Sequence, residues 1–185
     1  PRITETAKAL WYIYLGLTIV CAISYRLAGM STFDAITHSF STVAIGGFST
    51  HDASLGFFPG HGVMMISMIF MLLSGVNFAL HFSAWRMRSI RGYFKDNETV
   101  VYFSIVAVAG VITSGVLLFN NTFDHPADAL WNGWFQVVSV ATTTGFTING
   151  FSWWPSLLPV MLIIMSAIGG CAGSTAGGMK VIRAL

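Results

Sequence analysis

Long uncharged stretches alternate with short polar links along the chain. Residues 9–25, 56–85 and 99–119 contain no Lys, Arg, Asp or Glu. Residues 129–179 are also uncharged, over too great a length for a single crossing, so this stretch must contain a turn. A helix needs about 20 apolar residues to cross a bilayer core about 30 Å thick. The pattern therefore predicts four spanning helices, near residues 8–29, 58–86, 98–119 and 155–183.

Two shorter apolar segments lie between the predicted spans, at about residues 32–45 and 126–143. Ser31 or Thr32 can cap the first segment, and Asp124 can cap the second. Each segment is only about three to five helical turns long and ends in Gly with Ser or Thr rather than in charge. Segments of this length between two spans predict re-entrant half-helices, which enter the membrane without crossing it.

Composition supports an integral membrane protein. Apolar residues make up 55% of the chain and charged residues only 9%, whereas a soluble domain carries about 25% charged residues. These values exclude a soluble or disordered chain, and a net charge of +2 gives no basic field for binding nucleic acid. The two cysteines lie in apolar runs and offer neither a disulfide framework nor a metal-binding spacing.

The basic residues predict the orientation. Four of them crowd the link at residues 86–95, and eight of the nine lie on one predicted side, which the positive-inside rule makes cytoplasmic. The half-helices then enter from the outside. Two interpretations stay open for the acidic residues on that outer side: a vestibule that concentrates cations, or plain solubilising groups at the interface. These residues are Asp34, Asp52, Asp124 and Asp128.

The order span, half-helix, span occurs twice, and the residues repeat with it. Residues 41–49 match residues 139–147 without a gap at an offset of 98, with identities at the Ser, Gly and Phe positions. Because each unit holds two spans, both units have the same orientation in the membrane, and the repeats are parallel rather than inverted. The predicted repeats are residues 1–95 and 96–185.

The loop after each half-helix is a candidate cation site. A half-helix that ends at mid-membrane favours a cation near its C-terminal dipole, and carbonyls of the following loop can replace the water shell of a monovalent ion. Gly47 lies in the first loop, at residues 45–50, and Gly145 in the second, at residues 143–147. The alternative is a pair of turn glycines with packing aromatics. Matched loops at matched places favour a filter.

Residues 169–178 contain five glycines near the end of the fourth predicted span. Their spacing also fits close helix packing through small residues. Each interior glycine costs about 1 kcal/mol of helix propensity relative to alanine, so the density favours a broken helix. A break there would place a flexible polar loop below the filter.

Three motifs resemble the Trk/Ktr/HKT superfamily of potassium transporters, most closely its TrkH-type membrane subunits. They are Ala-Ile-Gly-Gly-Phe-Ser-Thr at 44–50, Ala-Thr-Thr-Thr-Gly-Phe-Thr at 141–147, and the glycine-rich run at 169–180. The resemblance implies an all-α integral membrane protein with a potassium-channel-like pore built from four span–pore-helix–span repeats. Only two repeats are present here, resembling the second and third, so we expect a fragment that supplies half of the pore.

The resemblance also implies which residues act. In the family, a gating loop interrupts the second helix of the third repeat, and backbone carbonyls beside one glycine per repeat coordinate K⁺. The first repeat departs from the second in having Ile-Gly where the second has two threonines before the glycine. The implied potassium-binding filter residues are Ile45, Gly46, Gly47, Thr143, Thr144 and Gly145. The implied gating-loop residues are Gly169, Gly170, Gly173, Ser174, Thr175, Gly177 and Gly178.

The implied function is potassium uptake across the cytoplasmic (inner) membrane, with K⁺ as substrate and no other cofactor. The resemblance further implies a homodimer of subunits and a TrkA-like cytoplasmic nucleotide-binding ring as regulatory partner. An enzyme is not expected, since the predicted spans hold no metal-ligand set, nucleophile–base pair or carboxylate pair. The alternative is a non-conducting membrane scaffold subunit.

Overall fold

The computed structural model describes residues 3–155 and 157–184, and within these residues it contains helices and loops but no strands. A short 3₁₀ turn, Ser54–Phe57, follows the second helix. The helices are α1 (Ile3–Leu27), α2 (Thr32–Val43), α3 (His61–Ser74), α4 (Phe78–Met87), α5 (Arg91–Lys95), α6 (Asn97–Phe119), α7 (Pro126–Ala141), α8 (Leu157–Ile168) and α9 (Val181–Ala184).

Two of the predicted spans are continuous helices. Thr4–Leu27 within α1 and Asn97–Phe119, which is α6, are long and apolar enough to cross a membrane. The start of α6 is well defined because the Asp96 carboxylate accepts a hydrogen bond from the Thr99 backbone N–H at 2.8 Å. An acidic cap also suits the positive end of the helix dipole.

The predicted span at residues 58–86 is wrong as a single straight helix. It consists of α3 and α4, which meet at an angle of 94°. The Asn77 side chain caps α4 by accepting a hydrogen bond from the Ala79 N–H at 2.8 Å. The Gly75 carbonyl accepts a hydrogen bond from the Cys171 N–H at 2.9 Å, so the chain bends where a distant segment docks.

The fourth predicted span is also interrupted. Helix α8 has 12 residues, a loop occupies residues 169–180, and the short α9 follows. Gly169 begins the loop with a φ of +70°, a conformation that favours glycine. The loop lies where the run of glycines disfavours a helix.

Helices α2 and α7 are too short to cross a bilayer. At 1.5 Å per residue they are about 18 and 24 Å long. Their last residues, Val43 and Ala141, are separated by the same 98 positions as the matching motifs. Helix α7 has four more residues than α2, so the extra turn lies at its N-terminus.

The two half-helices begin differently. The Ser31 hydroxyl caps α2 by accepting a hydrogen bond from the Asp34 N–H at 3.0 Å. Of the two predicted caps, Ser31 and Thr32, Ser31 is therefore the one used. The predicted Asp124 cap of α7 is wrong: His125 occupies the cap position and makes no side-chain cap bond. Pro126 is the first residue of α7, where its missing N–H needs no helical partner.

Each half-helix packs along the span before it in sequence, α2 on α1 and α7 on α6. Close approach of α6 and α7 depends on small residues. A β-carbon placed on Gly110 would lie 2.5 Å from the Trp134 ring, and one on Gly133 would lie 2.9 Å from the Ser114 hydroxyl. Small residues at such contacts let helix backbones approach in a membrane, where packing rather than water exclusion holds helices together.

We expect Gly110→Val to destabilise the protein because its side chain would push the Trp134 ring away from α6. Overpacking of this kind costs about 1–3 kcal/mol. The measurement is the thermal unfolding midpoint of the purified protein in detergent. Gly115→Val is the matched control, since it lies on the same helix with nothing within 4 Å of an added β-carbon. Equal midpoints for the two variants would contradict the packing argument.

Candidate ion-binding site

The first half-helix ends in a defined turn. The Ile45 N–H donates to the Thr42 carbonyl at 3.1 Å, and the Gly46 N–H donates to the Ser41 carbonyl at 2.7 Å. This pair of bonds is the Schellman arrangement, in which a left-handed residue terminates a helix. Ile45 is that residue, with a φ of +55°.

The second half-helix ends in the same turn. The Thr143 N–H donates to the Val140 carbonyl at 2.9 Å, and the Thr144 N–H donates to the Ser139 carbonyl at 2.8 Å. Thr143 has a φ of +65°. Both donors and both acceptors lie 98 positions after their counterparts, so the sequence match extends to individual hydrogen bonds.

The left-handed residue in each turn is β-branched, which is unusual. Helix ends of this type normally use glycine, and a β-branched residue at positive φ is a steric outlier. Such strain costs about 1–3 kcal/mol per residue and persists only where the surroundings enforce it. Ile45 and Thr143 therefore mark a strained position at the start of each proposed filter segment.

Each strained residue is followed two positions later by a glycine with positive φ, +70° at Gly47 and +88° at Gly145. The intervening residue is not in this region in either loop. Alternating backbone handedness allows neighbouring carbonyls to face the same side of the chain. Both loops thus have a backbone suited to presenting a short row of carbonyl oxygens.

The two loops lie side by side. A β-carbon placed on Gly47 would collide with the Thr144 carbonyl oxygen and would lie 3.3 Å from the Gly145 carbonyl carbon. Farther out, the Gly56 N–H donates to the Thr147 carbonyl at 3.3 Å. The structure thus brings Gly47 of the first repeat beside Thr144 and Gly145 of the second.

The phenylalanines that follow the two glycines differ in their surroundings. Phe146 is fully buried and stacks against the His38 ring of α2 at a centroid distance of 6.1 Å. The Ser139 hydroxyl also donates to the Phe146 carbonyl at 2.7 Å. Phe48 is 81% exposed. Phe146 of the second loop therefore packs against the first repeat, whereas the equivalent Phe48 of the first loop has no such cover.

A polar cluster ties the outer end of the first loop to the start of α2. The Asp34 carboxylate accepts hydrogen bonds from the hydroxyls of Thr50 at 2.6 Å and Ser31 at 2.7 Å. The His51 Nε2 lies 3.3 Å from the same carboxylate. These hydrogen bonds lower the pKa of Asp34, and the bond from Thr50 has the largest effect. The His38 Nε2 bonds the Ser49 hydroxyl at 2.9 Å and extends the cluster inward.

The glycine-rich loop at residues 169–180 reaches the C-terminal ends of both α2 and α7. The Thr175 hydroxyl donates to the Val43 carbonyl at 2.8 Å, at the last residue of α2. The Gly177 N–H donates to the Thr143 hydroxyl at 2.7 Å, just beyond the end of α7. The predicted gating loop is therefore hydrogen-bonded directly to the predicted filter.

The remaining predicted loop residues form its folded base. Gly169 lies against the Gly177 carbonyl, where no β-carbon would fit, and Gly170 is packed against the Gly75 carbonyl in the bend between α3 and α4. Gly173 lies beside the Asn77 side chain, with positive φ. The Ser174 hydroxyl donates to the Cys171 carbonyl at 2.6 Å and closes a tight turn. Gly178 is close to the end of α8, beside the Ser166 and Ala167 carbonyls.

One polar residue of this region was not singled out by sequence reasoning. Glu98 is buried in the first turn of α6 and accepts hydrogen bonds from the Ala172 and Ile182 N–H groups. In the sequence it lies two residues after Asp96 at the end of a span, a pattern typical of interface residues. Only the long-range contact distinguishes it.

The available ion ligands are backbone carbonyls and hydroxyls. Within residues 3–155 and 157–184, no group of three or more His, Cys, Asp or Glu side chains is placed to hold a metal ion. Carbonyl rings are the ligands that suit a dehydrated monovalent cation.

Comparison with known proteins gives consistent matches over the whole chain. The model of the family TrkH, described as a cation transport protein, matches residues 1–185. The chain is 53% identical to the Trk system potassium uptake protein TrkH of Vibrio parahaemolyticus and 50% identical to that of Escherichia coli K12. Both alignments cover all of this chain but only 39% and 38% of the relatives.

A solved structure agrees closely with the fold. The chain superimposes on the crystal structure of the potassium transporter TrkH from Vibrio parahaemolyticus with a TM-score of 0.96 and 53% identity. The match covers 100% of this chain and 40% of that one. The fold described above is therefore shared with about two fifths of that transporter.

We expect Asp34→Asn to lower the thermal unfolding midpoint at neutral pH, because it removes the charged acceptor of the Thr50 and Ser31 hydroxyls. The pKa of Asp34 is lower in the folded protein than its ordinary value of 3.8. The stabilisation is thus present above that value and is lost as the pH falls through the lowered pKa. The measurement compares the variant and the wild type at about pH 7 and about pH 3.

Asp52→Asn is the matched control for that experiment, since Asp52 is an exposed carboxylate in the same outer loop. Its unfolding midpoint should stay near that of the wild type at both pH values. A difference between Asp34→Asn and the wild type that is as large at pH 3 as at pH 7 would contradict the assigned hydrogen bonds.

Proposed function

The chain belongs to the TrkH family of cation transport proteins, and we propose that it contributes half of a potassium-selective pore. Its two repeats, residues 1–95 and 96–185, would each supply one half-helix and one filter loop. Since the chain spans about two fifths of the length of the relatives it matches, further repeats in a longer subunit would complete the ring. The proposed activity is potassium uptake across the cytoplasmic membrane.

One observation carries this proposal: two half-helices end in identical strained turns whose loops lie against each other. Ile45 and Thr143 share the left-handed conformation, and Gly47 contacts the backbone of Thr144. Strain of this kind in an otherwise stable fold is typical of functional sites. A packing role alone would not require the same strained backbone twice.

The proposed ligands are the carbonyl oxygens of residues 45–47 and 143–145. The threonine side chains of the second loop are engaged within the protein: the Thr144 hydroxyl bonds that of Thr142 at 2.7 Å, and the Thr143 hydroxyl accepts from Gly177. With these hydroxyls occupied, both repeats would offer mainly main-chain oxygens. The Ile-Gly pair of the first repeat would therefore coordinate K⁺ as well as the Thr-Thr pair.

We further propose that the loop at residues 169–178 gates this pore. Its bonds to Val43 and Thr143 support this role, since the loop contacts the C-terminal ends of both half-helices. A loop that is seated there would obstruct an ion leaving the filter. By family resemblance, a TrkA-like nucleotide-binding ring on the cytoplasmic face would control the loop, and two subunits would form a dimer.

We expect Gly47→Ala and Gly145→Ala each to reduce potassium flux by roughly tenfold or more, which corresponds to about 1.4 kcal/mol. A β-carbon is strained at both φ values and at Gly47 also collides with the Thr144 carbonyl. The measurement is K⁺ and Na⁺ flux into liposomes that contain the full-length subunit. Gly16→Ala on α1 is the matched control, since nothing lies within 4 Å of its added β-carbon.

The outcomes separate the candidate functions. Reduced or less selective potassium flux in both filter variants, with normal flux in Gly16→Ala, would support the filter. Wild-type flux and selectivity in both filter variants would defeat it. A wild-type subunit that passes no ion, even with its regulatory partner, would favour the non-conducting scaffold instead.

A further inference from the structure

Glu98 is the only buried carboxylate among the residues that the structure describes, with 6% of its surface exposed. It is the second residue of α6, next to the cytoplasmic link predicted by the basic residues. Burying a carboxylate is costly unless hydrogen-bond donors compensate its charge. The identity of those donors therefore indicates what the residue does.

A single carboxylate oxygen of Glu98 accepts two backbone hydrogen bonds. The Ala172 N–H donates at 2.7 Å and the Ile182 N–H at 3.1 Å. Ala172 lies near the start of the glycine-rich loop, and Ile182 lies in α9, two residues after the loop ends. Glu98 thus connects the segment that enters the loop to the segment that leaves it.

Hydrogen bonds to an ionised acceptor are about twice as strong as those between neutral groups. The bonds that hold the tip of the loop to the filter have neutral partners, the Thr175 hydroxyl with Val43 and the Gly177 amide with Thr143. Within the described part of the chain, Glu98 forms no ion pair with a basic side chain. Its charge therefore acts on the loop through those two amides.

We propose that Glu98 is a positioning residue that latches the base of the gating loop and keeps its tip seated against the filter. This inference rests on the proposed function of the loop. While both amides are held, the two ends of the loop cannot separate or rotate independently of α6. Release of the latch lets the tip leave the half-helix ends more often, and the pore then conducts without its activating partner.

The test uses Glu98→Gln in the full-length subunit. Glutamine keeps the side-chain length and one oxygen acceptor but removes the charge. Glu98→Asp is a second variant, which keeps the charge but shortens the side chain by one methylene and so moves the carboxylate away from the two amides. Asp96→Asn is the matched control: Asp96 caps the same helix through Thr99, and asparagine is an equally good cap.

The first measurement is amide hydrogen exchange of residues 169–182 in detergent, which requires no ion flux. We expect faster exchange in both Glu98 variants and unchanged exchange in Asp96→Asn. The second measurement is potassium flux into liposomes in the absence of the regulatory ring. We expect Glu98→Gln to raise this basal flux roughly tenfold, with a smaller rise for Glu98→Asp.

Wild-type exchange in both Glu98 variants would overturn the latch. Faster exchange with unchanged or lower basal flux would also overturn it, because Glu98 would then stabilise the loop without holding it closed. Loss of both Glu98 variants from the membrane, with Asp96→Asn retained, would assign Glu98 a purely structural role. A wild-type subunit that conducts no ion with its regulatory partner would instead defeat the proposed function, while the exchange experiment would still test the contact.

Discussion

Backbone amides and carbonyls that leave a helix inside a bilayer must find partners within the protein, since the hydrocarbon offers none. In this chain the non-helical segments satisfy one another. The Thr175 hydroxyl of the glycine-rich loop donates a hydrogen bond to the carbonyl at the end of α2. The Gly177 amide donates one to the hydroxyl of Thr143, just after α7. The polar groups at the ends of α2 and α7 find partners because a third irregular segment meets them.

The same constraint links two interruptions that are far apart in sequence. The bend at Gly75 between α3 and α4 exposes backbone groups, and so does the loop after α8. The Cys171 amide donates to the Gly75 carbonyl, and the Phe78 amide donates to the Gly173 carbonyl. The bend and the loop therefore form one structural unit.

Sequence reasoning succeeded where the signal was local or repeated. The gapless match between residues 41–49 and 139–147 locates two helix ends that share individual hydrogen bonds, and the cluster of glycines locates the break after α8. It failed where the cause was a distant partner. One glycine and one asparagine in an apolar run gave no reason to expect a bend of 94° at residues 75–77. The role of Glu98 could not be predicted because its hydrogen-bond partners lie 74 and 84 residues away in the sequence.

The central claim is that two strained helix ends present main-chain oxygens to one dehydrated alkali ion. Its most direct test is anomalous diffraction from crystals of the full-length subunit soaked in thallium or rubidium salts. The account predicts a peak within coordination distance of carbonyl oxygens from both residues 45–47 and residues 143–145. A well-ordered filter with no peak there, or a peak bound by only one of the two loops, would contradict it.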